Sequence, residues 1–326
     1  MEEWLKNPYI HIIAKISCAE EYQIRKWLEE LEDELYTKNR YFPQNKILNC
    51  IDTLCEKSYR IIKKGTVLYR ARTINKYQEN SLFESFMEDA ERLIKKRVPD
   101  FDVHGSDYEW IKVQTNMNIE SNGKDWNQEI LGALYSKYGQ LSWWGYDEKG
   151  SDAAPSPGAG RINPEGISYL YAADNIRTAS LEVRPVISQY LSIAEIEATE
   201  DINLFDFSKK YDGSDEFQKN WENAIRMSVL SEYFSNPNYS GEAAYLATQY
   251  ISEYIKNKKR KDGSSIFDGL CFKSSLDRDG LNYVLFDVSQ DRKYKINNSS
   301  IFQMMSLNGD LQRILPLPAL EDLKEI

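Results

Sequence analysis

One stretch constrains the fold of this chain more than any other: residues 158–185, GAGRINPEGISYLYAADNIRTASLEVRP. It begins with a glycine-rich turn ending in Arg161 and continues through an apolar strand over 167–173 that carries Tyr171. It then enters a short helix bearing Glu182 and closes at Arg184 and Pro185. A strand rises ~3.3 Å per residue, and the helix that follows turns the chain back beside it. A cation, an aromatic ring and a carboxylate on one turn–strand–helix unit can therefore converge on one cleft.

The flanking segments supply helices and more strands. Residues 20–36 place Ile24, Trp27, Leu28, Leu31 and Leu35 on one helical face, and residues 46–62 repeat the pattern with Ile47, Leu48, Ile51, Leu54, Cys55, Tyr59 and Ile62. Pro43 lies in the link, so two antiparallel helices form an expected N-terminal helical module over residues 1–62. Gly65 stops the second helix, and TVLYRAR, residues 66–72, reads as a strand with Arg70 inside it. A third amphipathic helix over 80–97 ends before Pro99, and another is expected near 128–138. The segment 143–156, WWGYDEKGSDAAPS, reads as a loop. Strands are expected at 189–198, 203–207, 266–272 and 281–288, helices at 216–235 and 242–258, and a surface wrap at the C-terminal tail with Pro316 and Pro318. Strands with helices inserted between them give an α+β fold. The second domain then spans 63–326, with a helical insertion at about 76–142.

Composition excludes several functions. At 326 residues with 41% hydrophobic and 13% aromatic residues, the chain has ample material for a packed core. A net charge of −10 argues against a protein that grips phosphate backbones, so nucleic acid is a disfavoured partner. The basic run KNKKRK at 256–261 reads as the C-terminal turn of a helix, where cations suit the dipole, in preference to a nucleic-acid patch, the alternative for such a run. Four cysteines and two histidines, without C-x-x-C or zinc-ligand spacing, indicate reduced thiols and no metal site. Residues 1–6 carry no secretory pattern, and no run reaches the ~20 apolar residues of a membrane span, so a cytoplasmic protein is expected. There is no phosphate loop, and the glycines at 158 and 160 precede a strand where a dinucleotide fingerprint must follow one. Neither His11 nor His104 lies near a nucleophile motif.

Three blocks and an opening strand carry a resemblance. The block GRINPEGISYLYAADNIRTASLEVRP, then FDGLCFKSS, then LNYVLFD, with LYRAR near residue 70, resemble the RES-domain proteins, named for a characteristic Arg, Glu and Ser. Phe272 stands where the family usually has Tyr, and the register aligns Ser274 with the family serine, Ser275 being one residue away. The resemblance runs from about Thr66 to Val288, with a long insertion between Arg70 and Arg161. It implies an ADP-ribosyltransferase-like mixed β core with inserted helices, preceded by a small helical module similar to the HEPN-like extension of one subgroup.

By that resemblance the chain is expected to be an NAD-consuming toxin or bacterial defence enzyme. It would cleave the nicotinamide–ribose bond with phosphate or water as acceptor, as an NAD phosphorylase or NAD glycohydrolase. Arg161, Glu182 and Ser274 are the implied catalytic residues, and Arg70 and Tyr171 the implied NAD-binding ones. No cofactor is implied: NAD is the substrate and inorganic phosphate a co-substrate. An antitoxin or regulatory protein is the implied partner, and a homo-oligomer stays open. The N-terminal helices and the 143–156 loop are the segments expected to restrain activity in cis. Two alternatives stand beside this reading, an ADP-ribosyltransferase acting on a macromolecule and a non-catalytic nucleotide-sensing module. The joint presence of Arg161 and Glu182 favours an enzyme over a sensor.

Overall fold

The computed structural model describes residues 8–74, 76–97, 99, 129–130, 132–134, 136–137, 158–209, 217–235, 245–288, 292–306 and 311–315. The 143–156 loop and the proline-containing tail lie outside the described residues. The fold is α+β. In order, the elements are α1 (Pro8–Asp33), a π-helical turn (Glu34–Lys38), α2 (Lys46–Cys55), β1 (Tyr59–Ile62), β2 (Val67–Thr73), α3 (Lys76–Arg97) and β3 (Leu170–Ala173). There follow α4 (Ile176–Glu182), β4 (Tyr190–Ala198), β5 (Ile202–Asp206), α5 (Phe217–Ser235), α6 (Leu246–Lys256), β6 (Gly269–Lys273), β7 (Leu281–Leu285), β8 (Tyr294–Met304) and β9 (Leu311–Leu315). The chain forms two compact units, one of residues 1–68, 153–178 and 197–295, the other of 69–152, 179–196 and 296–326.

The first unit is built on the strand run β1-β5-β6-β7-β3. β5 and β6 are parallel and the other pairs antiparallel, so the sheet is mixed. Strand side chains alternate between faces. One face presents Phe205, Leu270, Phe272, Val284 and Tyr171 to helices α1, α2, α5 and α6. There Ile24, Leu28, Leu31 and Leu35 of the first helical segment, and Ile47, Ile51 and Leu54 of α2, share one core with Met227, Leu230 and Ile251. Aromatic rings fill its centre: Phe205 lies 4.7 Å from Phe207 and 5.5 Å from Phe267, and Phe207 stacks on Phe234 at 3.9 Å. Polar ties staple the same helices from outside. Arg226 pairs with Glu20 at 3.0 Å, and the Tyr254 hydroxyl and Lys258 both reach Asp52.

The opposite face carries a polar row. Asp206 lies beside Cys271, and Cys271 beside Tyr283. Arg60 of β1 donates to Asp206 at 2.9 Å and to Ser208 at 3.3 Å, which fixes the edge strand to its neighbour. Asp206 is buried while the Arg60 side chain is 38% exposed, so the pair keeps solvent on one side.

The expected second helix over 46–62 is shorter in the structure. It ends at Cys55, and Tyr59–Ile62 is the edge strand β1. The first helix starts earlier than expected, at Pro8. The basic run 256–261 is tied to its own surroundings: Lys258 to Asp52, Lys259 to Ser265, and Arg260 to Ser264 and Ile266.

The second unit holds the strand run β2-β4-β8-β9, with a β-bulge between Ile301 and Phe302. Ile74, Leu134 and Ile301 form its core with Phe86, Leu93 and Tyr190 against them. Among the described residues no helix is long and apolar enough to cross a membrane.

Burial pushes the Cys50 thiol up to about 11 and the Cys55 thiol up to about 12, and raises Cys271 as well. Cys18 is exposed. At pH 8 a thiol reagent is expected to label Cys18 quickly in the native protein and the other three only on unfolding; fast native labelling at Cys50 or Cys271 contradicts this core. Asp206→Ala, which leaves Arg60 without its carboxylate, is expected to cost about 2–3 kcal/mol in urea unfolding, less than a fully buried pair because Arg60 keeps partial solvation.

Candidate active site

The turn that carries Arg161 is held from within by Asn163. The Asn163 amide donates to the carbonyls of Gly158 (3.0 Å), Ile167 (3.0 Å) and Pro164 (3.3 Å). Its Oδ1 accepts from the Tyr171 hydroxyl at 2.7 Å, and that hydroxyl accepts from the Ile162 amide at 3.2 Å. Tyr171 thus reaches from the middle of β3 back to the turn ten residues earlier. Gly160 closes the loop by its own amide, which donates to the Asn163 carbonyl at 2.9 Å. A Cβ at Gly160 would lie 2.3 Å from Asn163 Oδ1 and 2.9 Å from Tyr171 Oη, so only glycine fits. Helix α6 braces the turn from outside: Thr248 donates to the Arg161 carbonyl at 2.5 Å and Gln249 to the Gly160 carbonyl at 2.7 Å.

Arg161 itself is half-buried at the end of α5. Its Nη1 donates to the carbonyls of Phe234 and Ser235, both at 2.9 Å. The last carbonyls of a helix have no intrahelical partner and carry the negative end of its dipole, which favours a cation there. The contact fixes the guanidinium, while Nε and Nη2 have no partner among the described residues. That remaining edge is a forked donor suited to phosphate or carboxylate.

Ser274 is buried at the end of β6. Its hydroxyl accepts from the amides of Leu276 and Asp277, both at 3.1 Å, and its own amide donates to the Gly280 carbonyl. This closes the β6–β7 turn and aims Asp277, whose carboxylate accepts from the Thr178 hydroxyl at 2.7 Å. Thr178 lies in the first turn of α4, where its amide donates to Asn175 Oδ1 in an N-terminal cap. Ser275 is exposed.

Glu182 is the last residue of α4 and half-buried. Two locally unfavourable choices meet here. A carboxylate stands at the negative end of a helix, and two residues on Arg184 takes a left-handed backbone, φ +49°. Glycine is the usual residue in that conformation, which costs other residues about 1–2 kcal/mol. Arg70 is half-buried in β2. Arg161, Tyr171 and Ser274 belong to the first compact unit, and Arg70 and Glu182 to the second.

Asn163, Thr178 and Asp277, which hold the Arg161 turn and the start of α4, are residues that the sequence did not single out. The Asn-Pro dipeptide at 163–164 is a turn signal, but nothing in it foretells that the side chain reaches three carbonyls.

Residues 136–303 match the protein-family model described as the RES domain. No curated protein and no solved structure matches the chain.

Tyr171→Phe removes one donor to Asn163 and one acceptor for Ile162. It is expected to lower stability by about 1–2 kcal/mol, and Gly160→Ala by about 1–3 kcal/mol through the steric conflict. Urea midpoints read both; a neutral Gly160→Ala would contradict the packing of this turn.

Proposed function

Since the chain belongs to the RES-domain family, we propose that it is an NAD-consuming enzyme that cleaves the bond between nicotinamide and ribose. The observation that carries this reading is that the matched stretch contains Arg161, Tyr171, Glu182 and Ser274 together.

The chemistry fits those residue types. Nicotinamide in NAD is a cationic leaving group, so the glycosidic C–N bond breaks with its electron pair going to the ring nitrogen. The base departs neutral and needs no strong acid. Positive charge develops on the ribose carbon, and in this reading the Glu182 carboxylate stabilises it more in the transition state than in the ground state. The open guanidinium edge of Arg161 takes a phosphate group, and Arg70 supplies a second cation for the pyrophosphate or the acceptor. An oxygen of phosphate, or a water that gives up its proton, then bonds to the ribose carbon. The first acceptor gives an ADP-ribose phosphate and the second ADP-ribose.

Tyr171 and Ser274 enter this scheme as positioning residues. The Tyr171 hydroxyl holds the Arg161 turn, and Ser274 shapes the loop that reaches α4 through Asp277 and Thr178. Such an activity endangers the cell that makes it, which fits a toxin or defence effector held in check by a partner protein. The N-terminal helices share the central core, so a cis role for them is best tested by surface substitutions, since removing residues 1–62 strips that core and β1 together.

Purified protein incubated with NAD is expected to release nicotinamide, and Glu182→Gln to slow the release about 100-fold or more without loss of folding. An ADP-ribose phosphate formed only in phosphate buffer identifies a phosphorylase, and ADP-ribose in both buffers a hydrolase. No nicotinamide from the wild-type protein, or equal rates with Glu182→Gln, would overturn the proposal.

A further inference from the structure

Behind the Arg161 turn the first unit holds a cleft of about 690 Å³, a size typical of sites for small molecules. None of Arg70, Arg161, Tyr171, Glu182 or Ser274 lines it. Its walls come from the π-helical turn and the loop after it, from the turn residues around Pro164, and from α6.

Three tyrosines, Tyr36, Tyr41 and Tyr250, line the cleft with the apolar side chains of Ile167 and Leu246. Tyr36 is 66% and Tyr41 76% exposed, unusual for rings that carry this much apolar surface. The loop that carries Tyr41 is tied by its own hydrogen bonds. Asn39 Oδ1 accepts from the amides of Tyr41 (3.2 Å) and Phe42 (3.0 Å), its Nδ2 donates to the Phe42 carbonyl, and the Gln44 amide donates to Glu34 at 2.7 Å. The helix from which Tyr36 projects is π-helical at that point, a geometry that is rare and concentrated at functional sites. A flat ring is the natural complement of such walls, since stacking on an aromatic side chain is worth roughly 1–3 kcal/mol per base.

The polar groups narrow the chemistry. Glu253 is already engaged by the Tyr169 hydroxyl and Lys256. Arg40 and Glu165 have no hydrogen-bond or ion-pair partner among the described residues. Gln249 uses its Nε2 on the Gly160 carbonyl, which leaves Oε1 to accept. The cleft thus offers one forked cation for an anionic group and two acceptors, Glu165 and Gln249 Oε1, for an N–H donor. A ring that bears an amine and is joined to a phosphate satisfies all of them.

We propose that this cleft is a binding site for an adenine nucleotide, separate from the residues assigned to glycosidic cleavage. The base lies among the tyrosines with its amine toward Glu165 and Gln249, and the phosphate takes Arg40. Because Gln249 also bonds the Gly160 carbonyl, an occupant here bears on the turn that carries Arg161. The proposal stands on the cleft alone and needs no turnover of NAD.

The test is equilibrium binding of AMP to the full chain by calorimetry, with Arg40→Glu and Tyr41→Ala as variants. Both positions are exposed, so neither change disturbs the core. The expected result is saturable AMP binding that weakens at least tenfold in each variant and is unchanged in Glu182→Gln. IMP, which lacks the amine, is expected to bind at least tenfold more weakly than AMP. Absence of AMP binding, affinity unaffected by both cleft variants, loss in Glu182→Gln instead, or IMP binding as tightly as AMP would each overturn the assignment.

Discussion

The geometry of the site depends on one carboxamide. Asn163 spends both of its amide hydrogens on carbonyls of its own turn and its oxygen on the Tyr171 hydroxyl. With the side chain buried, no water is at hand to replace those bonds, so each is held by the full cost of leaving a buried polar group unmet. The turn is thereby joined to the strand that follows it. Arg161, which sits inside it, inherits the rigidity of the sheet. The bonds from Thr248 and Gln249 extend that frame to α6, and the Arg161–α5 contact extends it to a second helix.

Much of this frame was legible in the sequence, and the remainder was not for identifiable reasons. The turn–strand–helix over 158–185 read correctly because glycine, proline and an apolar run leave few options there. β1 did not, because Tyr59 and Ile62 also continue the helical spacing of Ile51, Leu54 and Cys55; what decides the matter is the pairing of Tyr59–Ile62 with Ile202–Phe205, a non-local contact. The apolar pattern marks this helix only from residue 20, because Tyr9, Ile12, Ile13 and Ile16, exposed in the structure, do not extend the buried stripe that begins at Ile24. The candidates Arg161, Tyr171 and Glu182 stand out in the sequence as residue types at a recognisable spacing. The hydrogen bonds of Asn163 and the Ser274–Asp277–Thr178 chain were not, since each depends on loop conformation rather than on any periodicity.

The end of α4 shows the opposite tendency. A sequence tuned for stability alone would place a cation before the helix end and glycine after it; this one has Glu182 and a left-handed Arg184. Local preference and the folded geometry disagree at that point while agreeing along β3 and β7.

The sharing of one core by the two ends of the first unit has a consequence for synthesis. Ile62 pairs with Ile202, and the apolar faces of α1 and α2 are closed only by residues up to Ile251 and Val284. At ~5–20 residues per second, the N-terminal helices leave the ribosome on the order of ten seconds before the segments that cover them. Throughout that interval the nascent chain presents bare apolar stripes to chaperones, proteases and any dedicated binding protein. The bonds that brace the Arg161 turn from outside, from Thr248 and Gln249, form only once α6 has emerged.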